Sequence, residues 1–152
     1  MTRPQDSYPL AAVEGLRERA ETSATEALAD ALRELVAREQ QRSEAIAALG
    51  AHRQQEAGRD REQARTTAAA WAVEELYRAR QREHERTLED AVDDAAEAEK
   101  QARAVVRRAR KALGGAAQER AVVAAHRGRW QADKDRERDR REEDELETWS
   151  SR

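Results

Sequence analysis

The 152-residue chain contains no cysteine and no phenylalanine, only two prolines and six glycines, and aromatic residues make up 3% of it. Each scarcity excludes something. Without cysteine there is no disulfide framework and no thiol chemistry, which fits a cytosolic protein. With so few bulky apolar side chains, the chain cannot bury the surface that a compact domain of this length must bury. Its longest uncharged stretches, such as 66–73, fall far short of the roughly 20 apolar residues that a membrane helix needs. No direct membrane insertion is therefore expected. The opening residues include Arg3 and Asp6 and no apolar run, so they do not read as a signal peptide.

What is present is charge and helix formers. Charged residues are 40% of the chain, 29 basic against 32 acidic, for a net charge of −3. Nucleic-acid binding calls for a concentrated basic face, whereas here opposite signs interleave almost throughout, so no nucleic-acid partner is expected. Composition of this kind also occurs in disordered chains. The dominance of Ala, Glu, Arg, Leu and Gln, the strongest helix formers, decides for long helices in a coiled coil.

Periodicity divides the chain. Pro9 stands at a favourable first helical position. Leu10, Val13, Leu16 or Arg17, Ala20 and Ala24 follow at steps of three and four. Leu28, Leu32, Leu35, Ile46 and Leu49 then form a heptad seam completed by Glu39 and Arg42, in a different register, which predicts a stutter near residues 24–28. The apolar rhythm lapses between Gly50 and Thr67, and Asp60 with Gln63 resembles a capping box. These signals place a turn at about 58–66, centred near Gly58, between helix one at about 9–57 and helix two at about 67–148. Helix two carries the best seam: Leu88, Val92, Ala95, Glu99, Ala102, Val106, Ala109 and Leu113. Gly114 and Gly115 then predict a break or hinge.

The expected fold class is all-α: a single two-helix antiparallel coiled-coil hairpin with an overhanging C-terminal helix. A turn near Gly58 would set Leu10 against about residue 106 and leave everything beyond about 110, including Trp130, without a partner helix. The tail from Asp133 to Glu147 is densely charged and reads as an exposed helix.

No catalytic, cofactor-binding or metal-binding constellation is visible. His52, His84 and His126 lie far apart in sequence and read as surface residues. Carboxylate pairs such as Glu74–Glu75 lack the water-excluding pocket that acid–base chemistry needs, and 113–116 lacks the spacing of a phosphate loop. The remaining candidates are contact residues. Trp71 and Tyr77 either pack in the seam or form an exposed aromatic patch. Trp130 and Trp149 sit in the charged tail as partner contacts or idle exposure.

The stretch Tyr8-Pro-Leu-Ala-Ala-Val-Glu-Gly-Leu-Arg-Glu-Arg, the polar turn followed by Trp71 and Tyr77, and the close Glu143-Asp-Glu-Leu-Glu-Thr-Trp149 resemble the FliJ/YscO family. These are the stalk proteins of flagellar and injectisome type III export ATPases. The resemblance implies a non-catalytic central stalk that couples a hexameric export ATPase to an export-gate membrane protein, with export chaperones as further partners. It also implies a cytoplasmic site peripheral to the inner-membrane export apparatus. Carried over, the ATPase-facing residues would be Leu10, Val13 and Leu16 with Leu146 and Trp149. The gate-facing ones would be Gln41, Trp71 and Tyr77. The family's aromatic patch near the tip falls on Ala45, Ala48 and His52, a departure from its pattern. A peripheral-stalk or generic cytosolic coiled-coil scaffold protein is the alternative.

Overall fold

A computed structural model describes residues 7–62 and 68–150. Two α-helices, α1 (Ala11–Glu62) and α2 (Ala68–Ser150), pack against each other as an all-α hairpin, and no strand occurs among the described residues. Residues 1–28 with 109–152 form one compact unit and residues 29–108 a second. The α1 start is closed by a backbone bond from the Ala11 amide to the Tyr8 carbonyl, 3.2 Å.

In the second unit the shielded residues of α1 are Ala31, Leu35, Arg38, Ala45, Leu49, His52, Glu56 and Arg59. With the more exposed Arg42 they keep unbroken steps of three and four. On α2 they include Leu88, Val92, Ala95, Glu99, Ala102 and Val106, the positions that the heptad pattern predicts. The α1 seam differs from the sequence reading by one position in each heptad. Ala31, 7% exposed, faces inward where Leu32, 37% exposed, was expected. Arg38 and Ala45 replace Glu39 and Ile46 in the same way, and His52 continues the set beyond Leu49. The physical reason is the partner face, where charge rather than bulk selects the register. Glu99, 5% exposed, accepts from Arg42 Nη1 at 3.0 Å and pairs with Arg103 Nη2 at 2.6 Å.

The first unit follows the same spacing. Leu10, Glu14, Arg17, Glu21, Ala24 and Leu28 are half-buried. They fall in step with the second unit's set, so no stutter is needed near 24–28. On α2, Leu113, Ala116, Val123 and Trp130 are shielded, and the seam continues past Gly114 and Gly115. Both glycines lie inside α2, neither has positive φ, and both face outward, so the expected break is absent.

Two further expectations are corrected. Gly58 and Asp60 lie in the backbone of α1, which continues to Glu62, so the turn is not centred at Gly58. α1 runs to Glu62 and α2 starts at Ala68, and the remainder of the expected turn, with Gln63, lies outside the described residues. The register moves accordingly. Tyr8 meets Val123, His126 and Trp130 rather than residues near 106. The overhang is thereby reduced: residues 136–150 are exposed throughout.

Two measurements test this fold. A Cβ added at Gly114 or Gly115 meets open space. The double substitution to alanine should therefore raise stability by roughly 1–2 kcal/mol in thermal unfolding. Spin labels at Ser43 and Ala96 should lie close, since Ser43 and Ala96 each share a cleft with Arg42, Glu99 and Arg103. Labels at Leu32 and Ala95, adjacent in the register expected from the sequence, should instead be offset by ~18 Å along the axis at ~1.5 Å per residue.

Candidate interaction surfaces

The eight contact residues singled out from the sequence separate on the structure. Tyr77 is half-buried, donates its hydroxyl to Glu56 at 2.9 Å and lies under the Arg59 guanidinium, 3.4 Å from the ring centre. It is a seam residue. Burial and the bond to Glu56 both raise its pKa above the ordinary tyrosine value. Trp71, by contrast, is 67% exposed. Gln41 is exposed and accepts from Arg38 at 2.9 Å. Glu56, which marks the level of Tyr77, lies ~22 Å further along α1 at ~1.5 Å per residue, so Gln41 and Tyr77 do not share one patch. Ala45 and His52 face the seam and leave only Ala48 exposed of the three positions of the departed aromatic patch.

At the other end, Leu10 is half-buried, while Val13 and Leu16 are exposed on α1. Leu146 and Trp149, 69% and 85% exposed, share an open cleft with Glu142 and Glu145. Tyr8 near the start of α1 meets Trp130, and Leu146 stands ~24 Å further along α2. The two apolar groups are thus separate surfaces rather than one paired terminus.

Of the histidines, His84 and His126 are exposed as expected, and only His52 departs from the surface reading. His52 is buried, and its ring meets that of His84 edge-on with centroids 5.0 Å apart. His126 Nδ1 lies 3.0 Å from the Tyr8 hydroxyl, which itself donates to the Val123 carbonyl at 3.2 Å. A carbonyl can only accept, so the single phenolic proton is committed to Val123 and His126 Nδ1–H donates to the tyrosine oxygen. With Trp130 5.5 Å from Tyr8, this forms an aromatic clasp over the first turns of α1. Its members are 115 or more residues apart in sequence, and only the α2 heptad, continued to Val123 and Trp130, could have pointed to it.

Charge pairs between helices frame these surfaces. Arg127 pairs with Glu14 at 2.8 Å, Arg120 with Glu21 at 2.7 Å, and Arg17 with Glu119. Hydrogen bonds to Glu14 and Glu21 raise the pKa of Arg127 and Arg120 above the ordinary arginine value, and the bond to Glu85 does so for Arg53. A basic run went unread in the sequence: Lys100, Arg103, Arg107, Arg108, Arg110 and Lys111, with no acid between them.

Among the described residues, no group of three or more His, Cys, Asp or Glu could hold a metal ion, and no helix is long and apolar enough to cross a membrane. Compared with family models, with curated proteins and with solved structures, the chain matches none of them.

The raised tyrosine pKa carries a testable sign. A folded pKa above the unfolded one means that Tyr77 contributes stability below the ordinary value near about 10 and loses it as pH rises through the folded value. In a Tyr8→Phe background, phenolate absorbance should appear above that ordinary range. Glu56→Gln should move it partway back.

Proposed function

We propose that the chain is a non-catalytic stalk of a type III export machine, flagellar or injectisome, working at the cytoplasmic face of the inner-membrane export apparatus. The observation that carries this reading is the end of α2. A helix whose final turns, 136–150, are exposed throughout ends in Leu146 and Trp149 within a cluster of carboxylates. Helices in proteins are held mainly by packing of an apolar face rather than by propensity. The intrahelical pairs here, such as Arg136–Asp133 and Arg138–Asp135, each contribute only about 0.2–0.5 kcal/mol. A covering partner would supply what is missing.

The central opening of a hexameric export ATPase suits such an end, because many screened contacts tolerate rotation where one tight interface would not. Leu146 and Trp149 are the inserted residues in this reading. Val13 and Leu16 form a second contact further back. Trp71, near the start of α2, is the anchor toward an export-gate membrane protein, with Gln41 as an outlying contact and export chaperones as further partners. The resemblance of 8–19 and 143–149 to the FliJ/YscO family supports the same assignment. In the cleft around Arg42 and Arg103 the carboxylate, Glu99, is paired to both arginines, which supports a contact role rather than catalysis there.

The test is co-purification and an ATPase assay with the cognate hexameric export ATPase. Full-length protein should raise ATPase activity or ring assembly, and high salt should weaken the effect. A chain ending at Gln131 keeps the Tyr8 clasp and the inter-helix pairs, so it should retain its helical signal while losing stimulation. Equal stimulation by both forms would sink insertion of the end. No stimulation by either would return the chain to the scaffold class.

A further inference from the structure

The second unit carries a groove that the hairpin does not fill. One bank is apolar. Leu32, Val36 and Ile46 are 37%, 65% and 49% exposed on α1, outside the seam. Ile46 and Ser43 share a cleft with Glu39, Arg42, Glu99 and Arg103. Leu32 and Val36 stand one heptad before Glu39 and Ser43, so on the helix they extend the same bank. The other bank is basic. Lys100, Arg103 and Arg107 line an adjoining cleft with Ala96, Arg42 and Glu99.

The acids within the groove are already satisfied. Glu99 is held by Arg42 and Arg103, and Glu39 by Arg103 at 3.3 Å. Arg107 makes no ion pair with any described residue, and Lys100 has only exposed Glu97, at 3.1 Å. The groove therefore offers uncovered apolar surface beside unspent positive charge. Its complement is a short helix with a few large apolar side chains among carboxylates.

The chain itself contains such a helix. Over 142–149 it reads Glu-Glu-Asp-Glu-Leu-Glu-Thr-Trp, with Glu142, Glu145, Leu146 and Trp149 on one exposed face around a cleft of their own. We propose that the groove receives this acidic C-terminal segment from a second copy of the chain. Both segments belong to the single helix α2, so the pairing is between copies. Leu146 and Trp149 lie on the Leu32–Val36–Ile46 bank, and Glu142 and Glu145 face Lys100 and Arg107. Apolar contact holds the segment, and charge sets its orientation and suppresses wrong registers. This pairing rests on the groove and the segment, not on the ATPase reading, and its test contains no ATPase.

Sedimentation equilibrium on the full chain is the measurement. Wild-type protein should associate, and raising ionic strength from about 0.1 M to about 1 M, which shortens the Debye length from ~10 Å to ~3 Å, should weaken association. Lys100→Glu with Arg107→Glu should weaken it about tenfold or more, and so should Trp149→Ala, each with an unchanged helical signal. The decisive arm mixes two variants. Protein carrying Lys100→Glu and Arg107→Glu should regain association with protein carrying Glu142→Arg and Glu145→Arg, although each alone is weak. A wild-type monomer at low salt would overturn the proposal, as would undiminished association of the charge-reversed or Trp149→Ala protein, or failure of the mixture. A monomeric wild type that binds a separate acidic amphipathic peptide would assign the groove to a foreign helix and overturn the second-copy occupant.

Discussion

Glu99 between Arg42 and Arg103 is the interaction on which the second unit depends. Buried apolar residues among those described are few and mostly small: Tyr8, Ala31, Ala102, Val106 and Val123. Alanine seams are nearly indifferent to register, because sliding one helix by a heptad replaces one small contact with another. A carboxylate that is 5% exposed is not indifferent. A one-heptad slip would set Glu99 against Leu35 or Leu49 instead of Arg42, so the buried carboxylate would keep Arg103 of its own helix but lose its partner across the seam, which disfavours the slipped register. The first unit lacks such a lock. Glu14 and Glu21 are one heptad apart, and so are their partners Arg127 and Arg120, so the same slip would preserve one of the two pairs. There the Tyr8 clasp, with its committed hydrogen bond to Val123, distinguishes the registers.

This explains which parts of the fold were legible. Helix content, the absence of strands among the described residues and the α2 seam from Leu88 to Leu113 follow from composition and spacing, because they depend on local propensity and on one helix at a time. The α1 seam does not. Reading by size selects Leu32 and Ile46, while the structure buries Ala31, His52 and half of Ala45. The choice is made jointly with α2, whose small residues accept a close helix and whose Glu99 demands Arg42. The end of α1 lies a few residues later than expected for a related reason. Gly58 weakens a helix by only about 1 kcal/mol, and the contacts of Glu56 and Arg59 with Tyr77 hold that end helical.

The exposed apolar residues were legible in the same partial way. Trp149, Leu146 and Trp71 stand out in sequence as large apolar residues among charge, and they are exposed in the structure. Tyr77 looked similar but is drawn into the seam by Glu56, a partner that becomes visible only once the register is known. The groove was hidden for the opposite reason: its apolar residues had been assigned to the core. Exposing Leu32 and Ile46 is a consequence of putting charge in the seam. The polar lock that aligns the hairpin also turns bulk apolar surface outward.

That displacement has a thermodynamic corollary for the two binding readings. Both the ring-insertion proposal and the pairing of copies use Leu146 and Trp149, so one segment cannot serve both at once. Occupation of the segment by a second copy then lowers its apparent affinity for a ring by the fraction already paired, and a ring in excess draws copies apart. The coupling is reciprocal, as binding linkage requires. Apolar contact contributes to both interfaces, but the salt dependence of each follows its own charges. The groove presents Arg107, which makes no ion pair with a described residue, and Lys100, held only by exposed Glu97, to the tail, so self-pairing should weaken as salt rises. At high ionic strength the balance depends on how much of the apolar surface each partner covers. A rise in the unpaired fraction with salt, measured without any ATPase, would therefore set the concentration of tail that a ring can reach.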